Sequence, residues 1–286
     1  MMPGSGKHTS VAARPTETMN DLRLRFSVNH YLCPPSLRLV EFLDRISQYG
    51  FSGVGLTERS LRELPLPQLQ RELDARQLRV SSINSAGYFL FEGDAALAQE
   101  RRNISLLQDA AELGGGGLNV IVGGSGTLTL NDAQSRAVEQ MRRFSERAIA
   151  LGVRLLVEPH VALNARTKNC FNTLAQIEGM FAAIPGLTLN ADLFHLWRDP
   201  DLDRLLAGES VELGLLQICD VGVDENGGVL HRVPLGEGVT PWGDWTRRVQ
   251  IAFPHAPIEL ELFADQLPNR SLEEILSSSH KGLSAL

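Results

Sequence analysis

Four short stretches in the C-terminal half of the chain carry residues that do chemistry, each at the end of an apolar run. They are Leu156-Val157-Glu158-Pro159-His160, Leu189-Asn190-Ala191-Asp192-Leu193-Phe194-His195, Leu215-Leu216-Gln217-Ile218-Cys219-Asp220 and Ile258-Glu259-Leu260-Glu261-Leu262-Phe263. Side chains alternate across a strand, so Glu259 and Glu261 share one face while Ile258, Leu260 and Leu262 share the other. The apolar face must meet covering helices, which turns both glutamates inward. The same alternation groups Asn190 with Asp192, and Gln217 with Leu215 and Cys219. A carboxylate inside a packed interior is costly unless a cation or a partner compensates it. An arginine such as Arg154 or Arg232 explains one inward acid. Inward oxygen donors on four adjacent strands, Glu158, Asp192, Gln217 and Glu261, point instead to one divalent metal ion at their common end. Donors of this kind suit Mn2+, Mg2+ or Co2+ better than a thiolate-type zinc site, with Zn2+ still admissible. Asp220 faces the other way from Gln217, so it is expected to support a ligand or cap a loop.

Such a convergence needs a scaffold that brings strand ends together. From Leu24 onward, short apolar runs alternate with longer amphipathic stretches, the pattern of repeated βα units and a parallel sheet. Eight strands are expected, at about Leu24 to Tyr31, Gly53 to Thr57, Arg79 to Asn84, Gly117 to Val122, Arg154 to Glu158, Leu187 to Asp192, Leu213 to Cys219 and Pro257 to Phe263. Between them Leu39, Phe42, Leu43 and Ile46 recur at helical spacing, and Gly50 marks a stop. Further helices are expected through Leu66 to Arg76, Ala95 to Leu113, Asn131 to Leu151, Thr173 to Ala183, Trp242 to Phe253 and Ser271 to Ser279. Eight βα units over residues 22–286 give a single (β/α)8 barrel, whose catalytic groups sit at the C-terminal ends of the strands. A doubly wound open sheet is the rival fold. It would place a glycine-rich turn after strand one, where Asn29-His30-Tyr31-Leu32-Cys33-Pro34-Pro35 stands instead.

The 286 residues are 43% hydrophobic and carry a net charge of −7, which gives no general attraction to nucleic acid or to anionic lipid. No apolar run approaches a membrane span. Cys33, Cys170 and Cys219 lie far apart without metal or redox spacing, which fits a reducing compartment and the cytoplasm. Residues 1–21 lack an apolar signal core and read as a disordered tail. Their Gly4-Ser5-Gly6-Lys7-His8 string lacks the spacing and the flanking strand and helix of a phosphate-binding loop.

The segment from Val157 to the C-terminus resembles the sugar phosphate isomerase/epimerase group of xylose-isomerase-like barrels. The resemblance rests on Val157-Glu158-Pro159-His160, on Asp192-Leu193-Phe194-His195-Leu196-Trp197-Arg198-Asp199-Pro200, and on Gln217-Ile218-Cys219-Asp220. It is completed by Gly236-Glu237-Gly238-Val239 after Arg232 and by Glu259-Leu260-Glu261-Leu262-Phe263. It implies that Glu158, Asp192 and Glu261 are metal ligands, and that Glu158 and Glu261 also act as base and acid. Gln217 stands where the family usually has a histidine ligand, as it does in some dehydratase members.

The expected reaction is proton removal alpha to a carbonyl, with the metal as Lewis acid and an enediolate as intermediate. The expected substrate is a small carbohydrate-like molecule, a ketose or an inosose. His195 and His160 are candidates to bind substrate oxygens, with His195 also counted among the catalytic groups. Arg232 is placed in the loop before Gly236, to grip a substrate hydroxyl, carboxylate or phosphate, or else to pair with Glu237. Asn29, His30, Glu58 and Asn84, at the ends of strands one to three, are candidates for the distal part of the substrate. Trp197 and Trp242 are candidates for an apolar wall at the mouth. Dehydration of an inosose or dehydroshikimate uses the same intermediate and is the main rival. A catalytically silent binding barrel is a second, and a homo-oligomer is compatible with either.

Overall fold

The computed structural model describes residues 26–224 and 230–286. The tail assigned to residues 1–21, with its Gly-Ser-Gly-Lys string, and the start of the first expected strand lie outside the described residues. In chain order the strands are β1 (Phe26–Asn29), β2 (Gly53–Thr57), β3 (Arg79–Gly87), β4 (Leu118–Ile121) and β5 (Leu155–Val157). They continue with β6 (Thr188–Asp192), β7 (Leu213–Ile218), β8 (Asp220–Val223), β9 (Leu230–Val233) and β10 (Ile258–Leu260).

Eight of these close into one barrel in the order β1-β10-β7-β6-β5-β4-β3-β2, and every pairing is parallel. Strands covered by helices outside and by side chains inside need apolar residues on both faces, which is why their sequences read as near-continuous apolar runs. Leu39, Phe42, Leu43 and Ile46 form the buried stripe of helix Leu39–Gln48, as their spacing predicts. Gly50 and Gly114 adopt φ of 79° and 62° at helix ends, the left-handed conformation that turns the chain back towards the next strand. Helix Leu130–Ala150 starts on Thr129, whose side chain accepts from the Asp132 amide.

Two expectations are corrected. The connection after β7 is not a plain loop, because β8 and β9 pair antiparallel as a separate two-stranded ribbon, with Val221 opposite Arg232. Arg232 therefore sits on a strand with a fixed facing. The sequence concealed this ribbon because its strands are only four residues each and break the βα rhythm. Trp242 does not line the mouth; its ring packs over Gly282 of the last helix, where an added Cβ would lie 3.2 Å from it. Asp220 is a loop cap. Its carboxylate accepts from the amides of Gly236, Gly238 and Thr240 and from the Thr240 hydroxyl, fixing the segment that leaves the ribbon.

All three cysteines are buried and free. Among the described residues no helix is long and apolar enough to cross a membrane.

Candidate active site

Strands end in polar residues at the barrel mouth because their last side chains leave the packed interior for the crevice above it. Glu158 follows β5, Asp192 closes β6, Gln217 lies in β7 and Glu261 follows β10. All four are buried. Carboxylate oxygens of Glu158, Asp192 and Glu261 come within 4.8 Å of one another, and so do the ligating atoms of Glu158, His160 and His195. The sequence-assigned acids thus share one point.

A cation is already there. Arg232 reaches in from β9 and grips both oxygens of Asp192, with Nη1 3.1 Å from Oδ1 and Nη2 in close contact with Oδ2. Its Nη2 also lies 3.0 Å from Glu261 Oε2, and Nη1 lies 3.5 Å from the Cys219 sulfur. The Phe194 and Phe263 rings flank the guanidinium, their centroids 4.4 and 5.3 Å from its carbon. Arg232 therefore does not pair with Glu237, which is bound by Arg270 instead.

Gln217 meets the carboxylates with its nitrogen. Its Nε2 donates to Glu259 Oε1 (2.8 Å) and Glu261 Oε1 (3.2 Å), while its oxygen accepts from Asn190 at 2.7 Å. Turning the amide over would set oxygen against two carboxylates and nitrogen against a donor, so the network fixes this orientation. In this arrangement Gln217 turns its nitrogen to Glu261 and Glu259 and its oxygen to Asn190.

Glu259 lies deeper. It accepts from Asn29, Ser81, Ser82 and Gln217, and the absence of a side chain at Gly55 makes room for it, since a Cβ there would lie 2.3 Å from Glu259 Oε2. Four donors offset part of the hydration that this carboxylate loses, and burial still holds its carboxyl above the ordinary range.

The environments drive the acids in opposite directions. Burial raises Glu261, and Asp192, Glu158 and Glu259 add to this, so that despite Arg232 its carboxyl lies well above the usual range. Burial also opposes the ionised form of Glu158, but His160 foremost, and then His195, bring it below the ordinary value. Asp192 is buried too, yet Arg232 and His195 hold it low.

The two histidine rings stack with centroids 4.1 Å apart, and their Nε2 atoms lie 3.3 Å (His160) and 3.7 Å (His195) from Glu158 Oε1. His195 Nε2 lies 3.5 Å from Asp192 Oδ2 as well. Burial pushes His195 down to about 4. Neither nitrogen of His160 has a hydrogen-bond partner, although the residue is only 7% exposed.

Across the mouth a cleft of about 420 Å³ is bounded by His30, Tyr31, Glu58, Asn84, Arg102 and Phe263, among others. Asn29 lies beneath it, committed to Glu259 and to the Tyr31 amide. Glu58 pairs with Arg62 and Arg102. Asn84 accepts from Asn119, which in turn donates to Glu158 Oε2 at 2.5 Å. Asn119 and Tyr31 were not singled out from the sequence. Asn119 left a signal, one inward amide inside Leu118-Asn119-Val120, whereas the placement of Tyr31 over Phe263, with centroids 4.9 Å apart, depends on a turn that the sequence does not specify.

His30 yields a prediction of pH dependence. Burial, reinforced by the Arg59 charge, lowers it from 6.5 to about 4. The unfolded chain then binds the extra proton as pH falls below 6.5. The stability from a neutral His30 is present above that value and is lost as pH falls towards 4, by about 2 kcal/mol between pH 7 and pH 5. Urea unfolding of His30→Gln at both pH values should show a smaller drop than the unsubstituted protein, and equal drops would contradict the assignment.

The donor set fits a hard divalent cation. Three buried carboxylates meet, Glu261 Oε2 has no hydrogen-bond partner, and two imidazole nitrogens stand beside them. Glu158, Asp192 and Glu261 would hold such an ion, with His195 or His160 in reach.

No curated protein sequence matches the chain. Several solved structures do. Protein SMc04130 from Sinorhizobium meliloti 1021 is 25% identical, with a TM-score of 0.81 over 91% of this chain and 98% of that one. The IOLI protein, solved with a zinc atom, is 14% identical, with a TM-score of 0.75 over 91% and 97%. A D-psicose 3-epimerase solved in the presence of D-fructose is 14% identical, with a TM-score of 0.72 over 91% and 97%. At such identities the last two speak to the fold alone. Residues 43–283 match the family model described as a xylose isomerase-like TIM barrel. The closed parallel barrel and this match over most of its length together make the chain a member of the xylose isomerase-like TIM barrel family.

Proposed function

We propose that the chain is a divalent-metal-dependent isomerase or epimerase of a small polyhydroxylated carbonyl compound, a ketose or an inosose. The observation that carries this reading is the meeting of Glu158, Asp192 and Glu261 at one buried point. A divalent ion held by these three would act as a Lewis acid on the substrate carbonyl.

The protein's own groups do the rest. Glu158 and Glu261 approach from barrel strands separated by β6 and β7. One, ionised, takes the proton alpha to the carbonyl and keeps it, and the other, protonated, delivers its own proton to carbon or oxygen, after which both exchange with solvent. Gln217 and Asn119 aim these two carboxylates. His195 and His160 offer ring nitrogens to substrate oxygens next to the reacting carbon. The cleft of about 420 Å³ bounded by Tyr31, Asn84 and Phe263 offers room for the distal part of such a substrate. The IOLI structure with zinc and the psicose epimerase support the reaction class by analogy. Three unpaired buried cysteines support a cytoplasmic location.

The test is a screen of ketoses, inososes and dehydroshikimate in deuterium oxide with Mn2+ present. Solvent deuterium entering recovered substrate and its epimer or isomer, without loss of water, is the expected result. Loss of water would move the assignment to a dehydratase. No exchange with any of these compounds would remove the reading.

A further inference from the structure

We propose that Arg232 is the resident cation of this site, and that a divalent ion binds only by taking Asp192 and Glu261 away from it. The inference rests on the metal-dependent reading above and adds a competitor that the reading does not contain.

Both Asp192 oxygens are engaged. Oδ1 accepts from Arg232 Nη1 and from the Phe194 amide, and Oδ2 faces Arg232 Nη2 and His195 Nε2. Glu261 Oε2 has Arg232 Nη2 at 3.0 Å and no hydrogen-bond partner. An ion joining Glu158, Asp192 and Glu261 would need an Asp192 oxygen, and the guanidinium faces both of them. It would also place a double positive charge against a buried single one, and at such separations that repulsion is strong wherever water is excluded.

Arg232 is no loose surface group. It is 5% exposed, flanked by two aromatic rings and carried on a strand paired through four residue positions. Whatever holds the guanidinium in place must be overcome when the ion enters, so the two occupancies are linked by mass action, and each weakens the other.

The probe is Mn2+ alone, titrated into the full chain and followed by the loss of the free-ion paramagnetic resonance signal. Arg232→Met removes the charge and keeps an unbranched apolar side chain between the rings. It should bind Mn2+ about tenfold tighter or more than the unsubstituted protein. Its Tm in chelator should be lower, and Mn2+ should raise that Tm further than it raises the parent's. Arg232→Lys, which retains the charge without the fork, should fall between the two in affinity and serves as the readout if the methionine variant does not fold. Equal or weaker Mn2+ binding by folded Arg232→Met, with the parent binding normally, would overturn the competition and leave metal dependence standing. Failure of parent and variants alike to bind Mn2+ would overturn both.

Discussion

Glu158→Gln and Glu261→Gln are each expected to lower kcat by about 10²- to 10⁴-fold, the usual contribution of a positioned proton-transfer group, while the barrel stays folded. Glutamine keeps the length and shape of the side chain and removes the group that accepts or returns a proton. At position 261 the neighbouring contacts survive in part, because Gln217 retains Glu259 and Arg232 retains Asp192. At position 158 the amide oxygen can keep the Asn119 and Asn190 donors, which both reach Oε2, while its nitrogen takes the side facing His160 and His195, so any loss of stability is small beside the kinetic one. Turnover at saturating substrate and Mn2+, alongside circular dichroism, separates these effects. Full activity in both variants would take the two glutamates out of the mechanism.

Asp192→Ala carries the largest expected stability effect, about 3–5 kcal/mol in chelator. The alanine variant leaves Arg232 fully charged and buried. Burial opposes its charge, while Asp192 foremost and then Glu261 keep the guanidinium protonated far above its ordinary range. Only Glu261 would remain to face it, and the Phe194 amide would lose its acceptor. Urea unfolding measures the difference directly. A loss below about 1 kcal/mol would mean that Arg232 finds water or another partner, and that its contact with Asp192 is not what holds the site in its present form.

Much of this was legible in the residues. Alternation on Ile258-Glu259-Leu260-Glu261 places both glutamates inward, and both are buried. The periodic stripes of the helices and the eight apolar runs imply the closed barrel that is found. What alternation does not supply is depth and orientation. Glu259 and Glu261 share a face, yet one is satisfied by Asn29, Ser81, Ser82 and Gln217 from three other strands, and the other is left to an arginine. Those donors lie between 42 and 230 residues away in sequence, so no local pattern pairs them with Glu259. Gln217 shows the same limit. Its position at the mouth follows from its strand, but which end of its amide faces inward is decided by Asn190, a tertiary neighbour. Arg232 was visible as a candidate but not as an occupant, because the ribbon that aims it is too short to show a period.

Glu158, Asp192 and Glu261 are proposed to hold one divalent ion at the barrel mouth. Crystals grown with Mn2+ and measured at the manganese absorption edge test it most directly. One anomalous peak per chain, touching all three carboxylates with Arg232 turned away from Asp192, is the predicted result. No peak at this point, with the guanidinium still seated on Asp192 and Glu261 at saturating Mn2+, would contradict it.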